Sequence, residues 1–312
     1  MSALKDVIFK PNAKYEVPAL SIIDKLFDKP ILNELLGFKK SIYKIKNKKT
    51  RDFLFLGWLC VLERVSNYRK GGNGLKKRPR AASAKNVREQ LFAQFDLMLT
   101  DIEDLLKQGA FNKFVTSELK YLDCVNDFPK LGVKFDLAVF SPPYLNCFDY
   151  FEVYKIELWM GDFVKSYDQL RQLRKRSLRS HLNAKFEENV SDDKDFKKLI
   201  SPIFDHLQKQ RLWDKRIPYM VWFYFEDMLR VLKSLNVLLK SKGTCVIVVG
   251  NSAYANVVLP VDVLLGSLSR IAGFDCLAID VARRNETSSQ QHNSLGIFSK
   301  FLRESLVILK KN

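Results

Sequence analysis

The strand-like segment FDLAVF, Phe135–Phe140, ends abruptly in the tetrapeptide Ser-Pro-Pro-Tyr at Ser141–Tyr144. Five of its six residues are apolar, and such near-continuous apolar runs are typical of parallel strands that are covered on both faces. Proline has a fixed φ and no backbone N–H, so two successive prolines stop strand pairing. The segment therefore predicts a buried strand that runs into a rigid loop within an α/β domain.

Further strand patterns lie on both sides of this tetrapeptide. They are SELKYLDC before it, and GTCVIVVGNS, DCLAIDVARR and ESLVILKK after it, with the helical pattern VDVLLGSLSRIAGF between two of them. This alternation predicts an α/β fold with a largely parallel sheet over residues 117–312, including a basic helical insertion at about 160–235. Residues 1–116 have apolar residues at helical spacing, which predicts a helical region for DNA or partner contacts.

The charge of the chain favours a polyanionic partner. The formal net charge is +17, and an excess of this size makes nucleic acid the first candidate. A basic protein without such a partner is the alternative. The five cysteines form no CxxC pair and the three histidines are scattered, so the sequence predicts no metal site and reduced thiols in a cytoplasmic protein. The longest apolar run, Phe53–Leu62, is about half the ~20 residues that span a bilayer, so no membrane association is expected.

The tetrapeptide offers hydrogen-bond acceptors beside an aromatic ring. Pro142 and Pro143 have no N–H groups, so the loop presents carbonyl oxygens and the Ser141 hydroxyl, followed by the flat face of Tyr144. Such a pair of acceptors beside a ring suits a planar group that carries an NH₂, such as a nucleobase with an exocyclic amine. The alternative is a turn stiffened by proline, with a tyrosine that only packs.

The stretch DLAVFSPPYLNCFDYFEVYKIELW resembles the catalytic motif of the amino-group DNA methyltransferases, (Ser/Asp/Asn)-Pro-Pro-(Tyr/Phe/Trp). Together with RDFLFLGWLCVLERVSNYRKGGNGLKK, GTCVIVVGNS and the C-terminal VARRNETSSQQHNSLGIFSKFLRESLVILKK, the resemblance covers most of residues 50–311. It implies a Rossmann-like class I methyltransferase fold and S-adenosylmethionine as methyl donor. It also implies that Ser141 and the Pro142 carbonyl orient the target amine while Tyr144 stacks on a flipped base.

The resemblance also suggests cofactor-binding residues. Asp123 ends the predicted strand SELKYLDC, where the family has an acid near the adenine amine of the donor; a surface aspartate that ends a strand is the alternative. Asn146 and Asp149 follow the tetrapeptide and are expected to line the same pocket. The aromatic residues between Phe148 and Trp159 have spacings that suit core packing.

One element of the family pattern is missing. The family has a glycine-rich loop, Asp-Pro-Phe-x-Gly-x-Gly, after the first strand of a sheet with order 3-2-1-4-5-7-6. The glycine cluster here, Gly71–Gly74, follows a helical pattern instead. The chain therefore predicts an incomplete sheet, strands 3 to 7, and a split enzyme in which a second polypeptide supplies the first two strands and most of the cofactor site. A degenerate or truncated gene product is the alternative.

Two basic segments and one polar segment are candidate DNA contacts. The glycine-punctuated basic stretch Gly71–Asn86 predicts a loop, RQLRKRSLRSHLNAK follows the tetrapeptide, and Ala282–Gly296 predicts a loop at the cleft. Contacts of this kind bind phosphates and give affinity without sequence choice; solvated faces and a flexible connection are the alternatives. The predicted DNA-binding residues are Lys76, Lys77, Arg78, Arg171, Arg174, Arg176, Arg179, Arg283 and Arg284.

The leading functional hypothesis is a subunit of a site-specific DNA methyltransferase in restriction-modification or phage defence, acting on double-stranded DNA. The serine form of the motif favours cytosine N4 as the target. Adenine N6 methylation, an RNA substrate, and a catalytically inactive methyltransferase-like DNA-binding module are the alternatives.

Overall fold

A computed structural model of the chain describes residues 15–72, 74–79, 86–109, 117–186, 192–284 and 295–312. The chain divides into two compact units, Met1–Leu119 with Tyr150–Gln172, and Lys120–Asp149 with Leu173–Asn312. Residues 150–172 thus group with the N-terminal residues, although only five residues separate them from the tetrapeptide.

The first unit is mainly helical. Its elements among the described residues are α1 (Ile23–Leu26), α2 (Lys29–Tyr43), α3 (Lys48–Val65), β1 (Tyr68–Gly71), β2 (Gly74–Lys77), α4 (Val87–Lys107), α5 (Tyr150–Val153), α6 (Lys155–Met160) and the start of α7 (Tyr167–Lys175). Asparagine side chains accept a backbone N–H at the starts of α3 and α4, which is the usual N-cap arrangement. The helical pattern predicted for this region is present.

The basic stretch after α3 is not the loop that the glycines predicted. β1 and β2 form an antiparallel hairpin in which Tyr68 pairs with Lys77 and Gly71 with Gly74. Gly72 has φ +59°, a left-handed conformation that glycine adopts without steric cost. The glycines therefore mark a turn between two short strands, and residues 73 and 80–85 lie outside the described residues.

The second unit is built on a sheet. Its elements are β3 (Phe135–Phe140), the end of α7, α8 (Lys194–Gln208), α9 (Ile217–Leu238), β4 (Leu239–Gly250), β5 (Ser252–Tyr254), β6 (Val257–Leu259), α10 (Val261–Ile271), β7 (Phe274–Arg284) and β8 (Arg303–Lys311), with 3₁₀ turns at Phe128–Leu131 and Gly296–Phe301. The four-stranded sheet has the order β3-β4-β8-β7. This order corresponds to strands 4-5-7-6 of the methyltransferase sheet, so the predicted fold class, an incomplete Rossmann-like sheet, is confirmed.

The strand directions agree with the predicted sheet, but one predicted strand is not part of it. Within the described sheet β3 and β4 are parallel and β8 is antiparallel to both β4 and β7, so β3, β4 and β7 run in the same direction. The described sheet is therefore largely parallel, with β8 as the exception. The segment Ser117–Cys124, predicted as a strand, is not one. Leu119 and Tyr121 are exposed there, at 101% and 81%; in the family order this strand pairs with strand 2, and no such partner is present among the described residues.

One face of the sheet is covered. Along β4 the buried residues alternate with half-buried ones, and Cys245, Ile247 and Val249 point into the core. That core is formed with α9 and α10, whose buried residues belong to the same cluster. The alternation follows from the two-residue repeat of a strand.

The opposite face of the sheet at β3, and the outer edge of β3, are more exposed. Leu137 and Val139 are 55% and 61% exposed, and the described sheet ends at β3. Val139 is in register with Val246, and Val246 with Ile308, so apolar residues continue across this face. The expectation of a strand covered on both faces therefore fails within the described residues, in which β3 is an edge strand.

Candidate active site

The tetrapeptide lies at the carboxyl end of β3. The last pair of the parallel ladder joins Phe140 to Ile247, so the loop emerges at the same sheet edge as the end of β4. Ligands of open α/β sheets lie at this edge. Ser141 is exposed and Pro142 is buried, and the Ser141 side chain hydrogen-bonds the Tyr144 phenol, so an exposed serine lies on an anchored loop.

The phenol of Tyr144 is held by a carboxylate. Tyr144 Oη donates to Glu304 Oε2 at 2.8 Å, and Arg283 Nη2 donates to the same oxygen at 3.0 Å. Burial raises the pKa of Tyr144, and the Glu304 hydrogen bond adds to the increase. The hydrogen bonds from Tyr144 and then Arg283 lower the pKa of Glu304. Glu304 is therefore an ionised acceptor at neutral pH.

The residues after Tyr144 are held by the β5–β6 hairpin. Tyr254 Oη donates to the Leu145 carbonyl at 2.9 Å and lies 3.4 Å from Cys147 Sγ. Cys147 has φ +62°, a conformation that is uncommon for a residue with a side chain. Asn146 is exposed, and its Oδ1 accepts the Phe148 N–H at 3.2 Å. The loop is thus fixed on both sides of the exposed Asn146.

Asp149 is the centre of a buried polar cluster. Its Oδ2 accepts from Arg174 Nη2 at 3.0 Å and from Asn183 Nδ2 at 2.8 Å, and His181 Nδ1 lies 3.8 Å away. Burial lowers the pKa of His181, although the Asp149 carboxylate acts in the opposite direction. Asp149 is 3% exposed, so this cluster ties the end of α7 and the segment after it to the loop.

Asp123 closes a turn. Its Oδ1 accepts the Val125 N–H at 2.9 Å and the Asn126 N–H at 3.3 Å, and its Oδ2 accepts from Asn126 Nδ2 at 2.7 Å. This is the arrangement of an Asx turn. The predicted role of Asp123 in cofactor binding stays a prediction, and its carboxylate already serves the local backbone.

The predicted DNA-binding residues fall into two groups. Three guanidinium groups are bound within the fold: Arg78 to backbone carbonyls of Glu63 and Tyr68, Arg174 to Asp149, and Arg179 to Asp227 and Glu226. Their side chains are only 19%, 17% and 12% exposed, so buried carbonyl or carboxylate partners replace the expected phosphate. The exposed members are Lys76, Lys77, Arg171, Arg176, Arg283 and Arg284.

Sequence reasoning missed Glu304 and Tyr254. Glu304 was part of the strand pattern ESLVILKK, in which it is one of several polar residues beside an apolar centre. Tyr254 lies 109 residues from the carbonyl that it binds. Contacts over such separations leave no periodic signal in a single sequence.

The residues near the loop do not by themselves fit S-adenosylmethionine. The Asp123 carboxylate accepts hydrogen bonds within its own turn, and the Asp149 carboxylate is in a buried ion pair. The described glycines near the sheet do not form a glycine-rich loop that could hold the cofactor. The described residues likewise contain no cluster of three metal-ligating side chains. None of the helices described is long and apolar enough to cross a membrane.

Curated relatives match almost the whole chain. The type II methyltransferase M.AvaI of Nostoc sp. (strain PCC 7120) is 27% identical over 330 residues, which cover 96% of this chain and 66% of the relative. M.BsoBI of Geobacillus stearothermophilus is 24% identical, over 94% of this chain and 66% of the relative. This chain is similar to type II methyltransferases over nearly its whole length. The resemblance to amino-group DNA methyltransferases that the Ser-Pro-Pro-Tyr motif indicated is confirmed.

The relatives are longer than this chain. The chain spans about two thirds of the length of the curated relatives it matches. A crystal structure described as a DNA modification methylase from Thermus thermophilus is 24% identical with a TM-score of 0.23, over 28% of this chain and 36% of that chain; this score is too low to support a structural comparison. No family model matches the chain.

Proposed function

We propose that the chain is the catalytic part of a site-specific DNA methyltransferase that methylates the exocyclic amine of a flipped base, with cytosine N4 as the target. The observation that carries the proposal is the exposed Ser141 on a proline-fixed loop at the carboxyl end of β3. The similarity to type II methyltransferases over 96% of the chain supports the proposal. Their type II class suggests a role in restriction-modification or phage defence. S-adenosylmethionine is the proposed donor of the methyl group.

The loop acts by positioning. The target amine donates one N–H to the Ser141 hydroxyl and one to the Pro142 carbonyl, because the two prolines leave acceptors and no competing donors. Two fixed acceptors set the direction of the nitrogen lone pair. Tyr144 supplies the ring against which the base stacks. Holding the amine in this geometry accounts for most of the rate gain that this chain contributes.

The cofactor site and the sheet are proposed to be completed by a second polypeptide. β3 is an open edge of the described sheet and exposes Leu137 and Val139 on the adjoining face, and unpaired edges with apolar residues are sites of strand addition. A partner that carries strands 1 and 2 with the glycine-rich loop would pair with this edge. About a third of the length of the relatives lies outside the match with this chain, which leaves room for such a part.

The methylation test compares two serines. The complex with the partner is assayed on duplex DNA, and the methylated nucleoside is identified by mass spectrometry. Ser141→Ala is expected to abolish methylation while DNA binding is retained, whereas Ser241→Ala, at an exposed serine of β4, leaves both unchanged. N6-methyladenine would correct the target base, methylated RNA would correct the substrate, and equal activity of Ser141→Ala would overturn the catalytic role of the loop.

The partner test is calorimetric. The candidate partner is the product of a neighbouring gene that contains the glycine-rich loop, and S-adenosylmethionine is titrated into this chain alone and into the mixture. Binding only in the mixture is expected, and Val139→Arg should prevent it by placing a charge on the open face. Val263→Arg, at an exposed position of α10, is the matched control. Tight binding by this chain alone would refute the split site.

A further inference from the structure

Glu304 lies between two strand ends beside the proposed active site. At the start of β8 it is in register with Gly250 of β4 on one side and with Arg283 of β7 on the other. Its Oε2 accepts from Tyr144 Oη at 2.8 Å and from Arg283 Nη2 at 3.0 Å. One carboxylate oxygen therefore joins the aromatic residue of the tetrapeptide to an arginine at the end of a different strand.

Glu304, Arg283 and Tyr144 differ in how far their side chains are buried. The side chain of Glu304 is 13% exposed, whereas that of Arg283 is 70% exposed. The ring of Tyr144 is partly buried against the hydrophobic core. A half-buried acceptor with two donors cannot move without breaking a hydrogen bond, so it restrains the ring. The exposed guanidinium has five N–H donors, which leaves donors for a second ligand besides Glu304.

The restraint matters for the proposed chemistry. A tyrosine side chain has only two rotatable bonds, so packing on one face and a hydrogen bond at the hydroxyl together determine the plane of the ring. A base that stacks on Tyr144 takes its orientation from that plane. A small misplacement of a reacting group is enough to cost about a hundredfold in rate.

The geometry points to Glu304 as a positioning residue that sets the plane of the Tyr144 ring, and to Arg283 as the residue that links this setting to a bound DNA phosphate. This inference rests on the proposed function and adds two residues to it. Arg283 holds Glu304 through Nη2 and keeps exposed N–H groups for a phosphate oxygen, so DNA binding and ring position are coupled through one side chain.

The first test does not require activity. The chain is labelled with 3-fluorotyrosine, and the Tyr144 resonance among the eleven tyrosines is assigned by its loss in Tyr144→Phe. In Glu304→Gln this resonance is expected to shift and to titrate at lower pH, because an anionic acceptor no longer favours the protonated phenol. Asp205→Asn, an exposed acid on α8, is the control. An unchanged titration in Glu304→Gln would overturn the proposed anchoring.

The second test uses single-turnover methylation by the complex. Glu304→Gln is expected to lower the rate about tenfold to a hundredfold, with the Kd for DNA and the Tm nearly unchanged. In the Tyr144→Phe background the same substitution should have little further effect, because the hydroxyl that it anchors is already gone. Independent, additive losses would refute positioning through Tyr144. Arg283→Gln should weaken DNA binding as well as the rate; a loss of rate alone would refute the link to phosphate.

The two proposals fail in different ways. If the wild-type complex does not methylate DNA, the proposed function fails, and the fluorine titration still decides whether Glu304 anchors the ring. If methylation is normal in Glu304→Gln, the proposed function stands and the positioning role is wrong.

Discussion

Replacement of Arg179 by alanine separates a structural arginine from a DNA-binding one. Arg179 Nε and Nη2 donate to the Asp227 carboxylate at 3.0 and 2.5 Å, and Nη2 also donates to Glu226 at 2.9 Å. Its guanidinium lies 4.3 Å from the centre of the Phe223 ring. Burial lowers the pKa of Arg179, but the two carboxylates outweigh burial and the net change is an increase. The arginine is therefore held as a buried cation.

The expected cost follows from the burial of the partners. The side chains of Asp227 and Glu226 are 5% and 7% exposed, and breaking a buried ion pair by removing one partner costs about 3–5 kcal/mol. Typical domains have a free energy of unfolding of about 5–15 kcal/mol. Arg179→Ala should therefore lose a large fraction of the stability of the second unit.

The assay is urea unfolding followed by tryptophan fluorescence, with Arg176→Ala as the matched control. Arg176 is 52% exposed and its nearest acid is 4.0 Å away, so its loss should change the free energy of unfolding by less than about 1 kcal/mol. A double-mutant cycle with Asp227→Asn should give a coupling of about 1–3 kcal/mol.

For DNA binding, substitution of Arg176 should have a larger effect than substitution of Arg179, which is the reverse of their effects on stability. Arg176→Ala should reduce the salt dependence of DNA binding by about one ion, whereas Arg179→Lys, which keeps the charge, should not change it. If Arg179→Ala unfolds within about 1 kcal/mol of wild type while DNA binding weakens, the buried ion pair is not the role of this residue.

Three further predictions test other contacts. Burial raises the pKa of Asp262, but hydrogen bonds from Ser305, Arg303 and the backbone outweigh burial and lower the pKa below its ordinary value. The stability that Asp262 contributes should be present above about pH 4 and be lost as the pH falls further. In thermal melts at different pH, Asp262→Asn should reduce this loss of Tm at acidic pH. Gly57→Ala should destabilise by about 1–3 kcal/mol, because its Cβ would lie 2.6 Å from the Phe95 ring; an unchanged Tm would contradict this. Lys76→Ala with Lys77→Ala should lower the salt slope of DNA binding by about two without changing the Tm, and an unchanged slope would remove β2 from the DNA contacts.

Much of the secondary structure was predictable because it depends on local patterns. The periodicity of α3 and α4, the apolar runs of β3, β4 and β8, and the glycine after α10 each mark an element that the structure contains. The segment around Tyr121 shows the limit, since SELKYLDC predicted a short strand. A strand needs a hydrogen-bonding neighbour, and that neighbour is absent among the described residues.

The charged residues could not be sorted from the sequence. Arg171, Arg174, Arg176 and Arg179 lie on one basic segment, and in composition they are alike. Only the tertiary structure shows that two of them face buried carboxylates while two are exposed. The distinction depends on acids that are 25 or more positions away in sequence.

The sequence by itself indicated the resemblance to the amino-group DNA methyltransferases and determined the rigid acceptor loop, because Pro142 and Pro143 lack N–H donors through their own covalent structure and need no partner for this. The tertiary structure decided what surrounds that loop. It brought Glu304 and Arg283 to Tyr144 across 160 and 139 positions, and it left β3 at an open edge of the described sheet. Both results depend on strand pairing, which joins segments distant in sequence and is specified by the whole sheet and not by any one strand.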